Sequence, residues 1–543
     1  MFSEPAVGDK FFGRDKVLEI LSKRAIALKD GYRQNIALTG QSLAGKSSII
    51  LQFLHSIKED GFIPIYVEVI KEPFRAFANK FIATMLYSAL AKKGEEVSVD
   101  IEFLMERASA ALPKTYSAIK HVNSSIEKEE YDQAYSSLLE LTSTLKMESG
   151  LPCIVILDEF DNLEFLGIRN PFVAFGKVIM VQKDTMYIVS SSRSLAIRKI
   201  ISEKLSLLFG NFEVIKVTNF GARASDEFIN IRLSGFDTDI FLKKFLIAFT
   251  DGNPFYLNNM IRRIKDIAIK RMTSYVGIDI VAEAILELVY NSSGTIHQYL
   301  MNYILELIDV KVRDLHISIL VSIANGRNRQ SEIARSLRVT HTGATDALRR
   351  LSEQGLITRS GIFYSIDDIM LDFWLKYVYE RKKNLLVDGA LDKTALFRED
   401  IVAYIGEFEN ELAISTADRL AELFNLFSNE LVSLDMKNSR MPHFTKVEVR
   451  SFADSNQFIA ASFRGNFWIV QAYERKVNEN DIVAFIRNVK ALDCKISNKL
   501  IIPIRGIDEN AKLLAKELKI SIWDSRTVNS LLTLYHKKRV VAL

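Results

Sequence analysis

The stretch from residue 35 to residue 50 constrains the chain more than any other. A short apolar run is followed by a loop with two glycines and then by a segment with apolar residues at helical spacing. The loop contains the pattern G-x-x-x-x-G-K-S, formed by Gly40, Gly45, Lys46 and Ser47. The stretch therefore predicts a buried strand, a glycine-containing loop and a helix in immediate succession.

This loop has the composition of a phosphate-binding loop. Its glycines allow successive backbone N–H groups to point inward at phosphate oxygens, and the helix that follows adds its positive end. Lys46 is expected to reach the β and γ phosphates, while the hydroxyl of Ser47 is expected to hold Mg²⁺. The predicted nucleotide contacts are Gly40, Gln41, Ser42, Ala44, Gly45, Lys46, Ser47 and Ser48.

A partner carboxylate for this loop follows a second apolar run. Residues 153–157 are apolar and precede Asp158 and Glu159, which is typical of a central parallel strand buried on both faces. Asp158 is predicted to emerge at the carboxyl end of the sheet and to hold Mg²⁺. Glu159 is predicted to polarise the attacking water. The alternative is a strand that ends in a solvated acidic turn.

A third apolar run ends in polar residues. Residues 186–189 are followed by three serines and Arg193, and this strand end is well placed to sense a γ-phosphate. Arg193 is predicted to stabilise charge that develops during phosphoryl transfer. The alternative is an arginine paired with an acid. Other strands are predicted at residues 63–70 and 212–217, and a charged helical insertion at about 92–150.

From about residue 219 to residue 305 the pattern is helical. A turn within it contains Gly252, which can end one helix, and Pro254, which fits the first turn of the next. We interpret this region as a lid over the ATPase core of residues 1–218, although the turn also has this purely structural explanation.

Several of these motifs occur in a fixed order: Phe12-Gly-Arg14, the phosphate loop, Leu157-Asp-Glu, Ser-Ser-Ser-Arg193 and Gly-Asn-Pro254. That order resembles the archaeal-type P-loop ATPases of the STAND/AAA+ group. The resemblance covers about residues 10–380 and implies that Ser192 and Arg193 act as a sensor and that Pro254 contacts the nucleotide. Arg14 is included among the nucleotide-binding residues. Because no guanine-reading NKxD motif is present, ATP is favoured over GTP.

Residues 306–385 predict a winged helix-turn-helix. Three short helices are expected at about 314–324, 330–337 and 342–354, followed by a hairpin that turns at Ser360–Gly361. Residues 311–355 hold eight Lys and Arg against four Asp and Glu, a net +4 that equals the charge of the whole chain. This local excess is the expected footprint of DNA. The predicted DNA contacts are Thr342, Thr345, Arg349, Arg350 and Arg359.

In the resembling ATPases a winged helix often only packs against the nucleotide domain, so DNA contact is not the sole interpretation. A linker is expected from Arg381 to about Thr394.

The last predicted domain covers residues 395–543. Three strands joined by tight turns, then a helix, a strand, a helix, a strand and a helix resemble the restriction-endonuclease-like fold. An active member needs an acid in the second strand and Glu/Gln-x-Lys in the third. Here the second strand begins Asn456-Gln457, and the third reads Gln471-Ala-Tyr473. Glu474 and Lys476 lack the right spacing, so the site is predicted to be degenerate.

Bulk composition fits this outline. With 543 residues, 48% hydrophobic and 25% charged, the chain predicts an ordinary globular protein of three or four domains. The strand, loop and helix motifs predict that its fold class is α/β. Two cysteines, Cys153 and Cys494, exclude a disulfide framework. No apolar run approaches a membrane span, and residues 1–8 lack signal-peptide features. We expect a cytoplasmic protein without a membrane partner.

Three hypotheses follow. The leading one is an ATP- and Mg²⁺-dependent conformational switch that binds double-stranded DNA. The second is an ATP-driven scaffold or signalling homo-oligomer whose C-terminal modules bind protein. The third is an active DNA nuclease.

Overall fold

The computed structural model describes residues 4–57, 61–205, 212–384, 393–434, 437–454 and 456–539. The chain divides into two compact units, Met1–Asn219 and Phe220–Leu543. Across the described ranges, no helix combines the length and apolar character that a membrane crossing demands.

The first unit is built on a five-stranded parallel sheet with the order β2-β3-β4-β1-β5. Its strands are β1 (Asn35–Thr39), β2 (Ile63–Glu68), β3 (Cys153–Asp158), β4 (Thr185–Ser191) and β5 (Phe212–Lys216). Strands β1, β3 and β4 are buried at every residue, which explains why they are apolar runs without alternation. The predicted α/β fold class is confirmed. Strand β4 lies between β1 and β3, so the polar ends of all three strands meet at one sheet edge.

Helices cover both faces of this sheet. They are α1 (Asp15–Lys29), α2 (Lys46–Ser56), α3 (Phe74–Lys92), α4 (Ile101–Ala111), α5 (Pro113–Glu127), α6 (Tyr131–Ser149), α7 (Pro171–Val181) and α8 (Ser194–Lys199). Helices α1 and α2 contribute to one hydrophobic core, and α3 to α7 contribute to the other. The predicted helical insertion forms α4 to α6 and shares the second core, so it is an integral layer of the unit.

The second unit begins with helices, as predicted. These are α9 (Ala222–Arg232), α10 (Ile240–Thr250), α11 (Pro254–Lys270), α12 (Ile278–Ile285) and α13 (Thr295–Leu307). The wholly helical prediction missed two short parallel strands, β6 (Asp237–Thr238) and β7 (Tyr275–Val276). Two residues are too few for a period-2 pattern to register in the sequence.

The predicted group of three helices and a hairpin is present. It consists of α14 (Arg313–Ala324), α15 (Gln330–Leu337), α16 (His341–Glu353), β8 (Ile357–Ser360) and β9 (Phe363–Ile366). The predicted turn is wrong by one residue, because Ser360 pairs with Phe363 and leaves Gly361–Ile362 as the loop. Gly361 has φ +64°, and a two-residue hairpin of this kind favours glycine at its first loop position.

Helices α17 (Ile369–Trp374), α18 (Glu380–Asn384) and α19 (Lys393–Leu412) follow. The predicted linker is helical at its start, since α18 continues to residue 384, and residues 385–392 lie outside the described residues. Helix α19 packs against the earlier helices of this unit: Phe397 stacks on Tyr290 with ring centroids 4.3 Å apart.

The remaining elements form a second α/β layer structure. They are α20 (Thr416–Asn425), β10 (Leu431–Leu434), β11 (Lys437–Arg440), β12 (Lys446–Ser451), β13 (Gln457–Phe463), β14 (Asn466–Tyr473), α21 (Glu479–Lys490), β15 (Ile496–Pro503), α22 (Glu509–Glu517), β16 (Ser521–Ile522) and α23 (Ser525–Leu534). The strand order of the sheet is β12-β13-β14-β15-β16. Strands β12, β13 and β14 pair in antiparallel fashion, and β14, β15 and β16 pair in parallel. Helices α20 and α23 cover one face of the sheet, and α21 and α22 cover the other.

The β8–β9 hairpin is docked against β10. The N–H of Ile362 donates to the carbonyl of Leu431 at 3.3 Å, and the N–H of Ser433 donates to Ser360 Oγ at 3.2 Å. A Cβ added to Gly361 would lie 1.7 Å from the carbonyl oxygen of Leu431. The tip of the hairpin is therefore covered by the C-terminal layer, which no sequence pattern indicated.

We expect Gly361→Ala to lower the unfolding free energy of the second unit by at least about 2 kcal/mol, because the methyl group must displace a backbone carbonyl. Urea unfolding followed by tryptophan fluorescence measures this, since all three tryptophans (Trp374, Trp468 and Trp523) lie in that unit. Gly465→Ala is the matched control, because Gly465 also has positive φ (+75°) but has no atom within 4 Å of an added Cβ. Equal losses for the two variants would contradict the docking argument.

Candidate functional site

The glycine-containing loop lies at the carboxyl end of β1 and leads into α2, as the sequence predicts. A Cβ on Gly40 would lie 2.1 Å from the carbonyl oxygen of Val217, so the close approach of two backbone segments requires glycine there. Gly45 has φ +96° at the start of α2, a conformation that L side chains rarely adopt. Both glycines are therefore needed for the loop to wrap inward.

Lys46 is buried beneath this loop, with 4% of its surface exposed. Its Nζ donates to the carbonyls of Gly40 at 3.1 Å and Gln41 at 2.9 Å, and to Ser192 Oγ at 3.0 Å. Burial lowers the pKa of Lys46, while the charges of Glu159 and Asp158 act in the opposite direction. The ammonium thus joins the loop to the end of β4.

Asp158 is the most heavily hydrogen-bonded carboxylate of the site. Its Oδ2 accepts from Ser47 Oγ at 2.8 Å and from Tyr66 OH at 3.2 Å. Its Oδ1 accepts from Ser190 Oγ and, at 3.1 Å, from the N–H of Glu159. A hydroxyl and a carboxylate held in contact are oxygen ligands of the kind that Mg²⁺ prefers, so Ser47 and Asp158 fit the metal predicted for them.

Glu159 stands next to this pair in a left-handed conformation, with φ +53°. Its carboxylate accepts from the N–H of Ser192 at 3.1 Å and from Ser192 Oγ at 2.5 Å. Burial raises the pKa of Glu159, and the nearby Lys46 charge and the Ser192 hydrogen bond oppose the rise. A positive φ at a residue other than glycine is uncommon, and such conformations cluster at functional sites.

Ser192 connects the two charged groups. Its hydroxyl accepts from Lys46 and donates to Glu159, so Lys46, Ser192 and Glu159 form a continuous hydrogen-bonded chain. The sequence placed these three residues at one sheet edge, and the structure brings them into contact.

Arg193 is paired with an acid, which is the alternative to a role at a γ-phosphate. Its guanidinium forms an ion pair with Asp161, which is 2% exposed, and Nη2 donates to Asn162 Oδ1 at 3.3 Å. The pair lacks hydrogen-bond geometry, since neither carboxylate oxygen of Asp161 has a hydrogen-bond partner among the described residues. A role for Arg193 at a γ-phosphate would require this pair to open.

Two further residues predicted to bind the nucleotide, Arg14 and Ser48, instead contact other segments of the protein near the loop. The Nη2 atom of Arg14 donates to the carbonyls of Ala44 at 3.1 Å and Thr218 at 2.5 Å, and burial lowers the pKa of Arg14. Ser48 Oγ accepts from the N–H of Ala6 at 3.0 Å. Both side chains hold protein segments against the loop; Gln41 and Ser42 lie within it.

Sequence reasoning missed Tyr66, Ser190, Asp161 and Asn162. Strand β2 pairs with β3 so that Glu68 lies opposite Asp158. Tyr66 precedes Glu68 by two residues in β2, and its hydroxyl donates to the Asp158 carboxylate. Ser190 is the first of the three serines that end the β4 run, and that polar ending was its available signal.

Pro254 belongs to the second unit and opens α11. Asn253 caps this helix by accepting from the N–H of Phe255 at 3.0 Å, and a Cβ on Gly252 would lie 2.3 Å from the carbonyl oxygen of Phe220. These contacts explain the Gly-Asn-Pro sequence of the turn without a ligand. The nucleotide contact of Pro254 stays a prediction.

The five residues predicted to contact DNA are all exposed, but three of their side chains are already paired with other residues of the protein. Arg349 pairs with Glu353 at 3.0 Å, Thr345 accepts from Gln330 Nε2 at 2.7 Å, and Arg359 Nε donates to the carbonyl of Gly361 at 3.0 Å. The side chains of Arg350 and Thr342 make no hydrogen bond or ion pair with other residues that the structure describes. They are the members of the set available to a partner.

The predicted degenerate nuclease site maps to the ends of β13 and β14. Glu474 accepts from Thr416 Oγ1 at 2.7 Å, and Lys476 pairs with Asp508. A group of three or more His, Cys, Asp or Glu side chains able to hold a metal does not occur in the described part of the chain. The absence of nuclease activity stays a prediction.

Known proteins resemble this chain in structure only. No family model and no curated protein matches the sequence. A Walker-type ATPase of Pyrococcus abyssi is 18% identical with a TM-score of 0.50, over 69% of this chain and 99% of its own length. The Aeropyrum pernix ORC2 protein is 13% identical with a TM-score of 0.42, over 76% of this chain and 98% of its own.

The Aeropyrum pernix ORC1 protein, solved in complex with DNA, is 15% identical with a TM-score of 0.40, over 69% of this chain and 94% of its own. The likeness to the Pyrococcus abyssi ATPase shows a shared α/β fold, in which a glycine-containing loop connects β1 of a parallel sheet to α2.

Proposed function

We propose that the chain is an ATP-binding and ATP-hydrolysing switch that binds DNA. The observation that carries the proposal is the contact set at one sheet edge, in which Lys46 joins Ser192 and Ser47 joins Asp158. A buried ammonium, a loop of inward-facing amides and a hydroxyl–carboxylate pair are the groups that a magnesium triphosphate requires.

Each residue has a distinct part in this proposal. The loop and Lys46 bind the phosphates, and Ser47 and Asp158 hold Mg²⁺, which neutralises phosphate charge when bound. Glu159 orients and deprotonates the attacking water, and Ser192 keeps its carboxylate in place. Tyr66 and Ser190 fix the orientation of Asp158 through their hydrogen bonds.

The direct test is a calorimetric titration of the intact chain with ATP, with and without Mg²⁺, followed by phosphate-release assays. We expect saturable, magnesium-dependent binding near one nucleotide per chain. Absence of heat at millimolar ATP in the presence of Mg²⁺ would contradict the proposal.

The second unit supplies the DNA-binding part of the proposal. In this proposal, residues 219–305 form a helical lid, residues 306–385 a winged helix-turn-helix and residues 395–543 a degenerate endonuclease-like domain; all of them except residue 219 belong to the second unit. Helix α16 presents Thr342 and Arg350 to solvent without partners, as a helix that enters a major groove would. Because the tip of the β8–β9 hairpin is docked on β10, it is not free to contact DNA. Helix α16 is therefore expected to make the DNA contact without the hairpin tip.

We expect Arg350→Ala to weaken binding to random duplex DNA and to reduce the slope of log K against log salt by about one, because one phosphate contact is lost. Fluorescence anisotropy at several salt concentrations measures both quantities. Arg262→Ala is the control, since Arg262 is an exposed arginine of α11 in the same unit.

The scaffold hypothesis makes the opposite prediction for this experiment. If the chain shows no salt-dependent duplex binding at low salt and Arg350→Ala changes nothing, the C-terminal modules bind protein instead. ATP-dependent self-association, measured by light scattering, would then support a homo-oligomer.

A further inference from the structure

The C-terminal sheet of the second unit ends at an uncovered edge. Strand β12 is the first strand of this sheet and pairs only with β13 among the strands that the structure describes. The pairing keeps one register over all six residues of β12. A groove of about 630 Å³ lies beside β12, between this strand and α20. The outer side of β12 is therefore accessible to a further strand.

Three residues of β12 direct their backbone groups toward this edge. The N–H of Phe452 donates to the carbonyl of Asn456 at 2.9 Å, which fixes the phase of the hydrogen bonds between β12 and β13. Every second residue before Phe452 therefore bonds to β13, and the other three, Val447, Val449 and Ser451, direct their N–H and C=O groups outward. No residue that the structure describes supplies a partner for these outward groups.

The exposed face of β12 carries charges of alternating sign. Lys446, Glu448 and Arg450 lie on one face of the strand, while Val447 and Val449 pack on the other against the core that includes α20. Charged side chains commonly protect a sheet edge from pairing. Because their signs alternate here, the protection depends on the register of the incoming strand.

One register of a second β12 strand satisfies both the backbone and the charges. In an antiparallel pair with its two-fold axis at Val449, Val449 pairs with its own copy and Val447 pairs with Ser451. The outward groups then form about six hydrogen bonds. In the alternating positions, where opposite side chains are closest, Glu448 of each copy lies opposite Arg450 of the other.

The neighbouring registers are unfavourable. An axis at Glu448 or at Arg450 would place that residue opposite its own copy, and like charges directly opposite one another destabilise a strand pair. An axis at Val447 or at Ser451 would place Val449 opposite a residue beyond the end of the other strand. The sequence of β12 therefore selects the axis at Val449.

The flank of α20 that borders the groove does not oppose this pairing. An axis normal to the sheet places the two α20 helices on the same face, so their flanks face each other. Asp418 accepts from Ser415 Oγ at 2.6 Å, and Glu422 pairs with Lys537 at 3.0 Å. The small side chain of Ala421 lies between them. Both acids are thus already compensated within their own copy.

We propose that two copies of this chain associate through their β12 strands, in an antiparallel pair centred on Val449. The interface is isologous, since each copy contributes the same strand. The association requires no nucleotide, so the inference does not depend on the proposed ATPase and DNA-binding function.

The test is sedimentation equilibrium of the full chain carrying Lys46→Ala, without nucleotide, so that association driven by ATP does not contribute. We expect a reversible dimer at concentrations up to about 100 µM. Glu448→Arg and Arg450→Glu are each expected to weaken the dimer by at least about tenfold, because each places like charges opposite one another at two symmetric positions.

Combining the two reversals restores opposite charges at both positions. The variant Glu448→Arg/Arg450→Glu is therefore expected to dimerise within about threefold of the parent affinity. Arg487→Glu is the control for altered net charge, since Arg487 is an exposed arginine of α21 outside β12, and it is expected to change nothing.

Val449→Pro tests the backbone part of the interface. Edge strands tolerate proline where the N–H faces solvent, and the N–H of Val449 is not used by β13. We expect the melting temperature to stay close to that of the parent while dimerisation weakens by about tenfold, because the central pair of hydrogen bonds is lost.

A parent chain that stays monomeric, a dimer insensitive to both single reversals, or a double variant no tighter than the single ones would overturn the inference. Binding of an unrelated extended peptide to a monomeric parent would assign the β12 edge to another protein and would also overturn it. Failure of the proposed function is a separate result: it would appear as no ATP uptake by the chain with Lys46 intact.

Discussion

Replacing Lys46 with alanine is expected to abolish measurable ATP binding and to lower ATP turnover by about 10²–10³-fold. The reason is the position of the ammonium, which is buried and aimed inward by two loop carbonyls and Ser192. In a site shielded from water, a preorganised charge of this kind stabilises the transferring phosphoryl group more strongly than it could in solution. Calorimetry measures the binding and phosphate release measures the turnover.

Lys177→Ala is the matched control, because Lys177 is an exposed lysine on α7 of the same unit. Lys46→Ala is not expected to unfold the chain, since removing a buried ammonium also removes the cost of its burial. A thermal melt followed by circular dichroism verifies this. A folded Lys46→Ala protein that hydrolyses ATP at the parent rate would refute the proposed site.

The α/β core of the first unit could be predicted from sequence because its signals are local. Strands buried on both faces are uninterrupted apolar runs, and β1, β3 and β4 each lead into the segments that carry the proposed chemistry. The carboxyl ends of parallel strands lie at one edge, so Lys46, Asp158 and Ser192 were expected to be near one another.

Contacts that depend on register and side-chain reach could not be predicted. Tyr66 reaches Asp158 only because of the pairing of β2 with β3. Asp161 lies on the short 3-10 helix that follows Glu159, and its pairing with Arg193 depends on the turn made there. Acidic residues after a strand are usually solvated, and no pattern in the sequence indicates that Asp161 is buried.

The docked hairpin of the second unit is a non-local feature of the same kind. The sequence marks Gly361 as a turn residue but does not show what lies against it. Here Leu431, 70 positions later in the chain, approaches so closely that only glycine fits. In the proposed DNA-binding mode the hairpin tip is not free to reach DNA, because it is already in contact with protein.

Glu159→Gln is expected to separate nucleotide binding from hydrolysis. The amide keeps the shape of the side chain and can still accept a hydrogen bond from Ser192, so ATP affinity should stay close to that of the parent. Turnover should fall by about 10²–10⁴-fold, because the amide cannot take a proton from the attacking water. Glu164→Gln is the control, since Glu164 is an exposed acid of the 3-10 helix that follows.

The pH profile gives this prediction a second readout. A general base acts only when it is ionised, so turnover is lost as the pH falls through the folded pKa of Glu159. Because burial raises that pKa, the acid limb should lie above the range of an ordinary glutamate. The parent is then expected to lose activity on acidification through this limb, while the residual rate of Glu159→Gln should lack it. An identical acid limb in the variant would show that a group other than Glu159 activates the water.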